Sequence, residues 1–349
     1  MAMPEKETGT ERVKGRAPVV LPDTMLAAAV DEFGPPEVLT PHTLPVPRVG
    51  QSEIAIALHG AGVGIWDAKI RDGTWAPDHV SFPLVLGTDG AGIVIAKGAL
   101  VRRFEIGDRV WSYAYQNPKG GYYAEYVVID ANNAGHVPPQ LDLFHAGVAV
   151  VTALTALQGI EDHLHVRADQ RVLIFGASGA VGTYAVQLAK HRGAFVIGTA
   201  TGSDAQELVS SLGADAVIDA RDGLARLEQV AAPGLDAVLA LAGGDALERC
   251  LDHVREGGRV AYPDGVEPPP AHRPRFHVVA YDAIPGPREL ARLSDAFVAA
   301  RLRVPVAAEF PLERAADAHR RLEQGHVLGR IGLRIGRPED RLDQDRLDH

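Results

Sequence analysis

From Met25 onward the chain carries short apolar runs broken by Gly, Pro and Asp, and few of them have helical spacing before residue 130. "SEIAIALHGAGV", "GAGIVIAKG" and "GDRVWSYAY" read as strands closed by tight turns, the pattern of a mostly antiparallel β domain. Near residue 145 the texture changes. Strands then alternate with helical patterns: "RVLIFGA" and "AFVIGTA" are strands, each followed by a helix, "AVGTYAVQLAKHRG" and "DAQELVSSLGA". The strands "DAVID" and "LDAVLALAGG", the helix "DALERCLDHVREGG" and the strand "RVAYPDG" continue the series. Repeated βα units of this kind predict a doubly wound parallel sheet in an α/β protein. The proline-rich "DGVEPPPAHRPRF" interrupts it, after which "PRELARLSDAFVAARL" and "LERAADAHRRLEQGH" have amphipathic helical spacing and "GRIGLRI" closes as a strand.

Residues 1–24 lack this patterning, and the final "GRPEDRLDQDRLDH" is highly charged; both are expected to be flexible. A length of 349 residues predicts two domains. The net charge of −10 argues against a surface built to hold nucleic acid or anionic lipid. Cys250 is the only cysteine, so neither an intramolecular disulfide nor a multi-cysteine zinc site can form, and a reducing compartment fits best. The N-terminus has no apolar stretch of signal-peptide type, and "GVAVVTALTAL" is shorter than the roughly 20 residues a membrane span requires. A cytoplasmic protein is expected.

The glycines of "GASGAVG" carry the most specific chemistry. Gly176, Gly179 and Gly182 lie where a strand ends and the helix from about Ala180 begins. A side chain at Gly179 would hold the backbone away from a pyrophosphate, and one at Gly182 would keep the helix off the strand. The helix start offers free N–H groups and partial positive charge to phosphates. Gly176, Ala177, Ser178, Gly179, Ala180, Val181 and Gly182 are therefore the expected dinucleotide turn. At the end of the next strand, "GTATGSD" has Thr199, Thr201 and Ser203 where an NAD enzyme places an acid for the ribose 2′-hydroxyl. NADPH is favoured over NADH, although no Arg or Lys follows. Ser203 has a second explanation as the start of a capping box with Gln206.

Taken together, "FGPPEVL", "FPLVLGTDGAGIV", "GDRVW", "GGYYAEYVV", "TALTAL", "GASGAVG", "LGADAVID" and "PLERAADAHRRLEQGHVLGRIGL" resemble the medium-chain dehydrogenase/reductase superfamily, in its zinc-independent quinone oxidoreductase branch. The resemblance runs from about Met25 to Ile335. It implies a GroES-like, mostly β catalytic domain over 25–149, a Rossmann NADP-binding domain over 150–275, a return segment to the catalytic domain over 276–336 and a charged tail over 337–349. It also implies a homodimer.

Zinc-dependent members carry a Cys-His pair and a Gly-His-Glu where this chain has Gly64 and Ile65 in "GVGIWD" and Thr88 and Asp89 in "GTDG". These residues cannot supply a zinc site, and His163 and His165 have no third ligand in view, so no metal is expected. Hydride delivery then suits an acceptor that is already electrophilic, a quinone or an α,β-unsaturated carbonyl. The resemblance puts Trp66 at the place of a hydroxyl relay residue, as an apolar wall or a core aromatic, and Asp67 as a loop-ordering or acidic group. Tyr115, with Tyr113 on the same strand face, is either a donor to the acceptor oxygen or solvent-exposed. Thr155, Leu241, Ala242 and Pro263 are implied cofactor contacts, and Arg330 either reaches a phosphate or lies at the surface. Two alternatives stand beside a quinone or enone reductase: an enoyl-thioester reductase and a non-catalytic NADPH-binding redox sensor.

Overall fold

The computed structural model describes residues 21–336, apart from 77–79, 116, 220 and 222–223. The tail expected over 337–349 and most of the extension expected over 1–24 lie outside the described residues. Leu21 packs against Ala55, Ala57, Ile95 and Val128.

The first part contains β1 (Thr24–Val30), β2 (Thr40–Pro45), β3 (Glu53–Val63), the short helix α1 (Ile65–Arg71), β4 (Leu84–Val85), β5 (Asp89–Lys97), β6 (Arg109–Tyr113), β7 (Tyr126–Asp130) and β8 (Ala134–His136). Strands β2, β1 and β4 form a small sheet, while β3, β5, β6 and β8 lie side by side in a larger one, with β7 also on β3. These pairings are antiparallel, as the strand-and-turn pattern predicts.

Helix α2 (Leu143–Gln158) is buried on nearly every side. Gly147 lets it approach β3, because a Cβ there would run into the Gly60 carbonyl. Its other side packs on the next helix of the chain. The domain change expected between 149 and 150 therefore falls inside a helix whose buried residues sit in one core shared with strands of both parts, not in a linker. Helical structure continues through Leu143–His163, 21 residues that by length and composition could cross a membrane, longer than the apolar run alone predicts. Packing accounts for that apolarity: 89% of its apolar window is buried in the fold.

The second part runs β9 (Arg171–Phe175), α3 (Ala180–His191), β10 (Phe195–Thr199), α4 (Ser203–Ser211), β11 (Ala216–Ile218), α5 (Leu224–Ala231), β12 (Leu235–Ala240), α6 (Asp245–Leu251), β13 (Val254–Pro263) and β14 (Phe276–Tyr281). Its six strands are parallel, in the order β11-β10-β9-β12-β13-β14. This is the expected doubly wound sheet. Two boundaries differ. The helix expected over 245–258 stops at Leu251, because buried Val254 joins the sheet opposite Leu235, and the irregular stretch before Arg259 absorbs the register shift. Residues 276–281, expected in the return segment, form the sixth strand of this sheet, so the return begins after Tyr281.

Helix α7 (Pro287–Ala299) buries Leu290, Leu293 and Phe297, the last against the Trp111 ring. The chain then re-enters the first part through β15 (Val306–Pro311), α8 (Ala315–Glu323) and β16 (Arg330–Arg334). Strand β16 pairs antiparallel with β3, which carries Arg330 into the catalytic sheet.

Candidate active site

After β9 the sheet order reverses: the chain builds outward through β10 and β11, then crosses back to β12. The crevice at this reversal is where open α/β sheets bind ligands. Gly176 lies there with φ +88°, a conformation that favours glycine. Its N–H donates to Thr199 Oγ1 at 2.8 Å, and the Ala177 N–H donates to the Thr199 carbonyl at 3.0 Å. Thr199 is thus turned inward as a strut for the turn.

A Cβ on Gly182 would run into the Gly176 carbonyl and lie 2.7 Å from Ala177 Cα, so close helix–strand packing requires glycine. Gly179 differs: its Cβ would meet only the Gly176 carbonyl, at 3.5 Å. The protein itself leaves that space open. Gly179 caps α3 without a side chain, and Ser178, Ala180 and Val181 are half-buried beside it. First-turn N–H groups without helical partners and the positive end of α3 suit this turn to a pyrophosphate.

Thr201 and Ser203 are exposed at the end of β10. The capping box expected from Ser203 does not form: Gly202 is the cap, and Ser203 is the first helical residue. Asp204 is paired with His326 at 2.8 Å, and that hydrogen bond holds its carboxyl below the usual range. Asp219, at the end of the neighbouring strand β11, is gripped by Arg221 at 3.0 and 2.7 Å, which lowers its pKa; the Thr201 hydroxyl adds to the effect. The cation missing from the sequence after β10 thus stands nearby, supplied by the next βα turn. Strand adjacency alone could have pointed to it.

The implied metal position is filled by an indole. Trp66 Nε1 donates to Thr88 Oγ1 at 2.7 Å, and the ring lies over Gly64 so closely that any Cβ there would overlap it. Gly64 and Thr88 leave neither ligands nor room for zinc, and the residues do not fit a metal. Trp66 is half-buried, so it is not a core aromatic, and its polar edge is already engaged.

Arg330 neither reaches a phosphate nor lies at the surface. It is 1% exposed, with Nη1 and Nη2 each 2.6 Å from an oxygen of fully buried Asp89 and Nη1 also 2.8 Å from the Val148 carbonyl. Its guanidinium carbon stands 5.2 Å from the Trp66 ring centroid. Gly62 makes room for it, since a Cβ there would overlap the guanidinium.

Asp67 is fully buried, and its Oδ2 accepts from the Gly64 N–H at 2.8 Å, ordering the start of α1. Burial, then the neighbouring Asp89 charge, pushes its pKa up to about 7. Behind it lies a chain that motif reading missed. Arg71 Nη1 donates to His319 Nδ1 at 3.0 Å, leaving His319 Nε2 to donate to the Tyr123 hydroxyl at 3.3 Å. Burial, then the Arg71 charge, drives the His319 pKa down to about 3, so the ring is neutral. Arg71 Nη2 ends the chain on Glu323 at 2.6 Å. Because a guanidinium does not release a proton, this chain orients groups and does not conduct protons.

Tyr115 does not share the strand face: β6 ends at Tyr113, and Tyr115 lies in the following turn, 43% exposed. Tyr113 is half-buried opposite Asp89 in the β5–β6 register. Burial raises its pKa, and Asp89, Asp282 and Tyr115 add to the shift. Asp282 follows β14 in the other part of the protein, so the Tyr113 phenol senses both walls of the cleft.

Leu241 Cβ lies 3.3 Å from where a Gly176 Cβ would stand, Ala242 is exposed beside it, and Pro263 ends the adjacent strand. These implied cofactor contacts therefore meet at neighbouring strand ends. Thr155 is nearly buried, its hydroxyl donating within α2 to the Val151 carbonyl at 2.8 Å. His163 stacks on Tyr281 and His165 bonds the Glu161 carbonyl; among the described residues no His/Cys/Asp/Glu group could hold a metal.

Comparisons with known proteins agree with this architecture. The family profile for alcohol dehydrogenase GroES-like domains matches residues 50–139, and that for zinc-binding dehydrogenases matches 212–332. A quinone oxidoreductase of Lama guanicoe is 31% identical, covering 88% of this chain and 96% of its own. The solved structure of an NAD-dependent alcohol dehydrogenase superposes with TM-score 0.82 at 30% identity, over 89% of this chain and all of that one. Escherichia coli quinone oxidoreductase complexed with NADPH gives TM-score 0.79 at 26% identity, over 88% and 99%. The chain belongs to the medium-chain dehydrogenase/reductase superfamily, in its quinone-oxidoreductase-like branch, and is an oxidoreductase of that type.

Proposed function

We propose that this protein uses NADPH to reduce a neutral quinone or α,β-unsaturated carbonyl in the cleft between its two parts. The observation that carries the dinucleotide is the turn over 176–182, where Gly179 leaves space that no protein atom fills. Thr201 and Ser203 would receive the 2′-phosphate, since the nearby carboxylates Asp204 and Asp219 are each paired with a cationic or imidazole partner. Thr155, Leu241, Ala242 and Pro263 would line the nicotinamide half. When bound, the reduced nicotinamide supplies a hydride. The names of the Lama guanicoe and E. coli relatives support this acceptor class, and the latter supports NADPH.

The chain's own task is to hold the acceptor and receive its developing charge. Tyr113 takes the role first expected of Tyr115. Its hydroxyl makes no hydrogen bond among the described residues, and its raised pKa keeps it protonated, so it donates a hydrogen bond to the acceptor oxygen without giving up its proton. Asp67 is sealed from the cleft and committed to Gly64, so solvent supplies the proton. Burial and Asp264 raise the pKa of Asp282 on the facing wall. This acidic rim favours uncharged acceptors over phosphate-bearing acyl thioesters.

NADPH consumption against quinones, alkyl enones and an enoyl thioester, with NADH in parallel, tests the proposal. Turnover of quinones or enones with NADPH preferred supports it, whereas turnover of the thioester alone, or equal use of NADH, overturns it. Silence with NADPH bound transfers the weight to a redox sensor. We further propose a homodimer, since β14 is the outer strand of the parallel sheet with Val279 exposed; light scattering at monomer mass would refute it.

A further inference from the structure

Gly329 and Arg330 are consecutive, yet they hold the two halves of the cleft. The Gly329 N–H donates to the Ser178 carbonyl at 2.9 Å, and Gly329 forms a parallel bridge with Gly179, inside the dinucleotide turn. Gly329 has little freedom to adjust: its φ is +88°, and a Cβ there would strike the Pro305 carbonyl, to which the Arg330 N–H also donates at 3.1 Å. One residue on, the Arg330 guanidinium is locked by three bonds to Asp89 and Val148, with its face over Trp66. Trp66 is in turn pinned at its edge by Thr88 and beneath by Gly64. Arg330 Nε, buried, has no partner, so the side chain holds its position through the two terminal nitrogens alone.

We propose that Arg330 is a positioning residue that couples the two sites: occupancy of the dinucleotide turn sets the placement of Trp66, the acceptor wall, through the Gly329–Arg330 step. This rests on the dinucleotide and acceptor sites proposed above. The physical link is short and stiff. A ligand that draws or pushes the 178–179 backbone moves Gly329, and the buried fork on Asp89 passes that displacement to the surface under the indole, because close-packed interiors transmit strain. Lysine could keep the charge but not the planar two-nitrogen grip.

The test is fluorine NMR on 5-fluorotryptophan-labelled full-length protein, whose three tryptophans give three signals, with Trp66→Phe identifying the relevant one. The probe is 2′-phospho-ADP-ribose, which offers the pyrophosphate and 2′-phosphate but has no nicotinamide to disturb Trp66 directly. The wild-type Trp66 signal is expected to move with a saturable dependence on the probe. In Arg330→Lys the probe should bind with affinity within about threefold of wild type while the shift is lost, and acceptor kcat/KM should fall by roughly 10- to 100-fold. If Arg330→Lys does not fold, the double replacement Asp89→Leu/Arg330→Met, which removes both buried charges together, serves instead. A stationary Trp66 signal at saturating probe overturns the coupling, as does a shift of wild-type size in a folded variant. Failure of the probe to bind wild-type protein removes the dinucleotide site itself, a distinct result read from the titration.

Discussion

Arg330 and Asp89, 241 residues apart, meet as a two-pronged ion pair with both contacts at 2.6 Å and neither side chain exposed to solvent. A single replacement strands a buried charge, so Arg330→Met or Asp89→Leu alone should cost about 3–5 kcal/mol, measurable by urea denaturation. Replacing both with apolar residues should recover most of that loss. Equal destabilisation by the single and double variants would contradict the pairing account.

Asp67 predicts a pH dependence of stability. Its pKa is raised from 3.8 to about 7 on folding, so the folded state holds a proton that the unfolded state has released. The contribution is fully present below pH 4 and is lost as pH rises towards 7. Wild-type protein should therefore lose stability relative to Asp67→Asn across that interval. Parallel curves at pH 5, 6, 7 and 8 would show that Asp67 does not titrate there.

The glycines of the turn should separate by phenotype. Gly182→Ala forces a Cβ into the Gly176 carbonyl and should lower stability by about 1–3 kcal/mol. Gly179→Ala should leave the melting temperature nearly unchanged, and Gly179→Asp should abolish NADPH binding by charge and bulk. Nicotinamide fluorescence on binding reads the second effect, and calorimetry the first.

Tyr113→Phe should reduce kcat by roughly 10²–10³-fold with NADPH affinity retained, as expected when one donor to a developing oxyanion is removed. Tyr115→Phe should change kcat less than threefold. Steady-state kinetics on the best acceptor of the panel would distinguish the two phenols.

Because Trp66 fills the space between Gly64 and Thr88, prolonged dialysis against a chelator should leave activity intact, and elemental analysis should find less than stoichiometric zinc. Activity lost to the chelator and restored by zinc would contradict that account.

Local pattern in the sequence determined the two-part architecture. Period-two runs with Gly and Pro turns specify antiparallel strands, and apolar runs alternating with helical spacing specify the parallel sheet. Gly182 was legible for the same reason, since its requirement comes from Gly176 and Ala177 in the same strand-to-helix turn. Cofactor contacts at strand ends could be placed because strand ends converge in any such sheet.

What the sequence left open depended on partners remote along the chain. The role of Arg330 turns on Asp89, that of Trp66 on Thr88, and that of Asp67 on its burial and then on the Asp89 charge from another strand. Ser203 and Tyr115 kept two readings each until backbone geometry placed the former inside α4 and the latter beyond β6. The helix over Leu143–His163 carries apolar residues because both parts of the fold pack around it, and composition cannot distinguish that from lipid. Local propensity specifies elements, whereas burial and charge pairing exist only after those elements have packed; that packing decided which residues face the cleft and which hold it in place.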